Sequence, residues 1–261
     1  MPRERTATVV RASFDDATTV GSMAIGSMVT QLRLKGFTVD DLYGDRATKE
    51  NMFRSIEALD PVLVIGLGHG NEEIFTGQNK QVILKTCEYP ENIVKNRIIY
   101  LVSCLAGASL GPDTVSKGAT TFIGYKEEFI WIQERYTNPL QDRIGKAFFE
   151  PVQEIITRLA NGETTGSAFR ASIDKWNYWI NYWARQSDPA AAAIVSLLIH
   201  DRDAQVLYGS TTAVATTQPA QSPAPTPIPI HIALTEVAAT LAPVIIPVAG
   251  IGIAAVGGAK P

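Results

Sequence analysis

Cysteine, histidine and basic clusters are scarce in this chain. Of its 261 residues only Cys87 and Cys104 are cysteine, and only His69, His200 and His231 are histidine. Two cysteines cannot build a disulfide framework, so free thiols in a reducing, cytoplasmic setting are expected. Neither CxxC nor HExxH spacing occurs, and no metal site or other cofactor is expected. Lysine and arginine total 23 against 26 acidic residues, a net charge of −3, with no basic run; nucleic acid is therefore not an expected partner. The opening Met1-Pro2-Arg3-Glu4-Arg5-Thr6 is polar and leads into a strand pattern, unlike a signal peptide.

What is present is a succession of apolar runs separated by amphipathic stretches. Thr6 to Ala12 is β-branched and reads as a strand, with Ser13-Phe14-Asp15-Asp16 as its exit loop. Residues 17–35 place Val20, Met23, Ala24, Met28, Val29 and Leu32 on one helical stripe, closed by Gly36. A short strand at 37–42 precedes a second helix, Thr48 to Leu59, with a capping start at Thr48. The continuous run Leu63 to Leu67 then ends in Gly68-His69-Gly70. This is a βαβαβ order, the signature of a doubly wound, mostly parallel sheet.

Residues 71–79 read as a polar loop, 81–85 as a small excursion strand and 91–96 as a short helix or turn. The second continuous run, Ile98 to Val102, ends in Ser103-Cys104-Leu105-Ala106-Gly107. A further strand lies within 118–125, and an aromatic loop, Glu127 to Trp131, follows. Helices are expected at 140–160, 164–183 and 190–200, and a last strand at 205–209. Trp176, Trp179, Tyr182 and Trp183 fall at helical spacing, which reads as packing.

Composition changes at Ser210. Residues 210–230 are rich in Pro, Thr and Ala, with prolines at 219, 223, 225, 227 and 229, and read as an extended linker. Within the hydrophobic tail, 231–261, residues 237–258 carry no charge and are long enough to cross a bilayer, although Pro243, Pro247 and four glycines weaken a helix there. The tail is a candidate membrane anchor, with docking to a partner or to the same protein as the alternative. The expected division is thus a domain at 1–209, a linker at 210–230 and a tail at 231–261.

In open α/β sheets the chemistry sits beyond the carboxyl ends of the strands, so two neighbouring parallel strands would deliver His69 and Cys104 to one edge. A cysteine nucleophile acts as its thiolate and needs a base nearby. Gly70 and the small residues after Cys104 leave backbone N–H groups free to approach a carbonyl oxygen. Gly66-Leu67-Gly68-His69-Gly70 is a poor match to a dinucleotide loop, having GxGxG spacing and Asn71-Glu72-Glu73 where a helix should begin.

A hydrophobic block ending in His-Gly, followed by one ending in a small residue and Cys, resembles the caspase-like cysteine peptidases of clan CD. The matching residues are 62–70 and 98–107. The strand within 118–125 is closer to the gingipain and CHAT branches than to caspases proper. The resemblance covers roughly residues 6–209 and implies a three-layer sandwich, a mostly parallel sheet flanked by helices. It implies a cysteine endopeptidase that hydrolyses peptide bonds of a protein or peptide substrate through an acyl-enzyme. In that reading His69 is general acid/base, Cys104 is nucleophile, and the N–H groups of Gly70 and Cys104 form the oxyanion hole. Glu72 and Glu73 are candidates to orient His69, against the reading that both simply lie in a solvated loop. Asp15 and Asp16, in the loop after the first strand, either line a pocket for Arg or Lys before the cut or cap the following helix. Self-processing, in the linker or near Lys126, Arg185 or Arg202, belongs to the same reading. Ser103 and Leu105 depart mildly from the family pattern. The competing expectation is a non-catalytic caspase-like scaffold, tethered to a membrane, that binds a peptide or partner without cutting it.

Overall fold

In the computed structural model, residues 4–135, 138–215 and 252–255 are described. Most of the chain lies in a mixed α/β arrangement around one six-stranded sheet. Its strands are β1 (Thr6–Arg11), β2 (Thr38–Tyr43), β3 (Leu63–Leu67), β6 (Ile98–Val102), β7 (Thr121–Tyr125) and β9 (Gln205–Gly209), in the order β2-β1-β3-β6-β7-β9. All neighbours run parallel except β7 and β9. Strands β3, β6 and β7 are buried throughout, which is why they read as continuous apolar runs rather than alternating ones.

Alternation within each strand divides the core in two. Ala7, Val9, Leu63, Ile65, Tyr100 and Val102 face one layer, packed with α1 (Asp16–Leu34), α4 (Gly145–Ala160), α5 (Thr165–Trp183) and α6 (Ala191–Ala204). Val10, Val64, Ile99, Leu101 and Phe122 face the other, packed with α2 (Lys49–Leu59) and α3 (Leu110–Ser116). The result is the expected helix–sheet–helix sandwich. Trp176, Trp179 and Trp183 are buried, and the Nε1 groups of Trp176 and Trp179 donate to Gln205 and Glu150.

Several boundaries differ from the sequence reading. The polar stretch 71–79 contains β4 (Ile74–Thr76), which forms a hairpin with β5 (Val82–Lys85). The aromatic loop closes into β8 (Ile130–Gln133). Helix α3 carries Gly111 and Pro112 in its first turn, where proline lacks nothing that the turn needs, so a breaker pattern conceals it. Helix α4 starts at Gly145 rather than 140, because the Asp142 carboxylate takes the Ile144 and Gly145 N–H groups. Residues 210–215 are not yet linker. Thr165 N–H donates to Ala213 and Gly166 N–H to Thr211, pinning this stretch to the start of α5. Of the tail only β10 (Gly252–Ala255) is described; it is a strand paired with β8, and the remainder of the linker and of residues 237–258 lies outside the described residues. Among those described, no helix is long and apolar enough to cross a membrane.

Candidate active site

The strand order reverses at β1: the chain passes outward to β2 and returns on the other side to β3. Strands β1 and β3 therefore flank the switch point, and doubly wound sheets place their ligands beyond the carboxyl ends of such strands. Asp15 follows β1 and His69 follows β3. Their side chains meet: His69 Nε2 lies 2.6 Å from Asp15 Oδ2.

Asp15 holds two posts. It is the N-cap of α1, accepting from the Thr18 amide at 2.9 Å and the Thr18 hydroxyl at 2.7 Å through Oδ1, while Oδ2 faces His69. Partial burial pushes its carboxyl up, but the Thr18 amide, His69 and the Thr18 hydroxyl together outweigh that and leave it below the usual aspartate value. Asp15 is therefore anionic at neutral pH beside the imidazole. Asp16, the first residue of α1, is exposed.

His69 is held on every side. Its carbonyl oxygen accepts from both the Thr76 amide and the Thr76 hydroxyl at 2.9 Å, its ring packs edge-on against Phe14 at 5.6 Å, and it is 5% exposed. The Ser13 backbone exchanges hydrogen bonds with the Gln78 amide side chain, tying the loop after β1 to the end of the β4 turn. Glu72 and Glu73 are both exposed, and the carboxylate that orients His69 is Asp15 instead.

Strands β3 and β6 pair with Leu67 opposite Val102. His69 and Cys104 each lie two residues beyond that last pair, in the loops that leave β3 and β6. The two loops also touch: a Cβ on Gly70 would lie 2.2 Å from Ser103 Oγ and 3.2 Å from the Cys104 carbonyl. Only glycine allows the loop after β3 to come this close. Ser103 Oγ is buried with no hydrogen-bond partner among the described residues.

Cys104 is fully buried, beneath the segment that joins β7 to β8. Phe129 N–H donates to its sulfur at 3.3 Å, and the next turn is stitched to the same segment by Leu105 N–H to Glu127 (3.0 Å) and Gly107 N–H to Tyr125 (2.8 Å). Leu105 takes a left-handed conformation, φ 59°, that turns the chain sharply after Cys104 at a cost of about 1 kcal/mol. Burial pushes the thiol up to about 12; the Phe129 amide offsets part of this, and the charges of Glu128 and Asp201 add to it. In this resting arrangement Cys104 is a thiol. The other cysteine, Cys87, is exposed and lies beside Asp113 of α3.

Asp201 on α6 was not singled out by its sequence context, yet it is fully buried near this site. Its Oδ1 accepts from the Ile130 amide at 3.0 Å, and Oδ2 has no partner among the described residues. Burial raises its carboxyl well above the usual aspartate value, the Ile130 amide offsetting only part, so the folded protein keeps it protonated over a range where the unfolded chain ionises. Stability from this residue is then complete below about pH 4 and declines as pH rises toward the folded-state value. Asp201→Asn, which keeps the acceptor for Ile130, should raise the melting temperature at pH 7–8 and converge with the parent below about pH 4. Melting curves between pH 3.5 and 8 check this; an equal loss at every pH would contradict it.

Among the described residues no group of three His, Cys, Asp or Glu side chains could hold a metal ion. A groove of about 330 Å³ lies elsewhere, between β2 and α2, lined by residues such as Asp40, Arg46 and Arg54, and neither His69 nor Cys104 borders it. His69 and Cys104 are both buried.

No protein-family model and no curated protein sequence matches this chain. Among solved structures it is similar to the Arg-specific cysteine proteinase gingipain R, at 13% identity and a TM-score of 0.52, covering 82% of this chain and 48% of that one. It is also similar to the complex of Porphyromonas gingivalis RgpB pro- and mature domains, at 11% identity and a TM-score of 0.51, covering 80% of this chain and 48% of that one. The chain thus spans about half the length of these proteins. At such identities the shared property is the fold alone.

Proposed function

We propose that this protein is a cysteine peptidase captured in a closed, resting arrangement. The observation that carries the reading is the pairing of Asp15 with His69 at the switch point of the sheet, and it is supported by Cys104 following the neighbouring strand β6 as His69 follows β3. A carboxylate on one imidazole nitrogen fixes the ring and stabilises its protonated form, which is what a base that deprotonates a thiol requires. In this reading Cys104 Sγ attacks the carbonyl carbon of a peptide bond and gives its proton to His69. The imidazolium then protonates the leaving amine, and water hydrolyses the resulting thioester. The backbone N–H groups of Gly70 and Cys104 are the oxyanion donors. Asp15 is a positioning residue. Asp16, exposed beside it, is the carboxylate left for an Arg or Lys side chain ahead of the cut.

The burial of Cys104 means that residues 126–129 move aside before substrate binds. The same burial supports a second reading, a scaffold that binds peptides without cutting them, because a thiol held near 12 under a packed segment is also what a structural cysteine looks like.

Hydrolysis of a panel of fluorogenic peptides by the full chain separates the two. The peptidase reading expects turnover of at least one panel member, best with Arg or Lys before the bond, falling to background in Cys104→Ala and unchanged in Cys87→Ala. Turnover that survives Cys104→Ala would end it.

A further inference from the structure

Strand β8 stands outside the six-stranded sheet, and its strand partner is β10, drawn from the tail. The pair is antiparallel, with Gly252 opposite Gln133 and Ala255 opposite Ile130. Phe129, the residue before β8, is the one whose amide covers the Cys104 sulfur. The tail strand therefore ends, at Ala255, beside the residue adjoining that cover.

Edge β8 is held from the body of the domain as well as by β10. Asp201 takes the Ile130 amide at one end, and Asp142 takes the Glu134 and Arg135 amides just past the other. Trp131 packs edge-on against Phe149 of α4 at 5.4 Å. No residue from Phe129 to Gln133 is charged, and neither is any of Gly252–Ala255. An uncharged edge that accepts an extended segment through backbone hydrogen bonds is the geometry of strand addition, in which affinity comes from the main chain and selectivity from side-chain pockets.

We propose that β8 is a docking edge for extended peptides with small apolar side chains, and that Gly252–Ala255 is its resident, self-inhibitory occupant. The second half rests on the peptidase reading: a substrate lying along β8 toward Cys104 must first displace the tail strand. Because the tail strand belongs to the same chain, its docking is intramolecular, so a free peptide competes poorly until the tail is released.

The test uses the full-length protein and its double variant Ile253→Pro with Ala254→Pro. Inward-facing N–H groups alternate along an antiparallel strand, so two adjacent prolines remove one whichever phase applies. Both changes lie in the tail, and an unchanged melting temperature for the body serves as the folding control. Hydrogen exchange at Trp131, Ile132 and Gln133 is expected to accelerate at least tenfold in the variant. A fluorescein-labelled synthetic peptide of residues 249–257 should bind the variant, restore that protection and fail to bind the parent. Unchanged exchange, or a variant that does not bind the peptide, overturns the docking edge. Protection in the parent that falls on dilution overturns the intrachain assignment, since the strand would then come from a second copy. Faster hydrolysis by the variant, inhibited by the peptide, supports self-inhibition. An open edge that binds the peptide while both proteins hydrolyse nothing overturns self-inhibition and the peptidase reading, and leaves the docking edge standing.

Discussion

Iodoacetamide at neutral pH is expected to modify Cys87 and spare Cys104 in the resting protein. The thiolate is the reacting species, and an ordinary thiol near 8.5 is about 10% ionised at pH 7.5. A thiol at about 12 is ionised roughly three thousand times less often, so thiolate population alone separates Cys104 from such a thiol by about three orders of magnitude. Its complete burial adds to this, whereas Cys87 is exposed. Unfolding in urea should bring the two cysteines to similar rates. Peptide mapping of time-resolved alkylation reads both sites at once. Should Cys104 react as fast as Cys87 in native protein, the segment 126–129 opens readily and the closed arrangement is a minor state. The same assay gives activation a measurable form: any ligand that moves this segment must raise the Cys104 rate.

Gly68→Ala is expected to cost about 3 kcal/mol, lowering the melting temperature of a domain this size by about 6–12 °C. An added Cβ would lie 2.0 Å from the Thr76 carbonyl oxygen, a backbone atom that cannot rotate away. Relief requires β4 to separate from the end of β3, and that movement would also break the grip of Thr76 on the His69 carbonyl. Site and stability are therefore coupled at this glycine. Gly36→Ala makes a useful comparison: nothing lies within 4 Å of its added Cβ, but φ is +83°, so the cost is conformational and about 1 kcal/mol. Chemical denaturation of both variants distinguishes steric from conformational cost. A Gly68→Ala protein as stable as Gly36→Ala would show that β4 yields easily.

The strands that carry the site were legible because they are buried on both faces, which leaves unbroken apolar runs such as Leu63–Leu67 and Ile98–Val102. The ends of those runs also pointed to His69 and Cys104 as candidates. Asp15 was legible as a cap from its place before an amphipathic helix, but its contact with His69 spans 54 positions and leaves no local trace. Strands β4 and β8 have three and four residues, too few for a period to emerge, and β8 exists by virtue of distant carboxylates and a tail strand. The burial of Cys104 depends on how residues 125–129 fold back over it, and no pattern within those residues encodes that path.

The two kinds of strand edge in this fold are guarded differently. Outer strand β2 carries Asp40 and Asp41, engaged by Arg46 and Arg11, and charges in such a position discourage pairing with another molecule. Strand β8, reading Ile-Trp-Ile-Gln, has no such gatekeeper and relies on β10 to fill its open side. A single nick anywhere in 216–251 would turn that intramolecular protection into a bimolecular one. Clipped protein then carries a sticky apolar edge and a detached strand that fits it, the two complementary halves from which chains exchange segments and build aggregates.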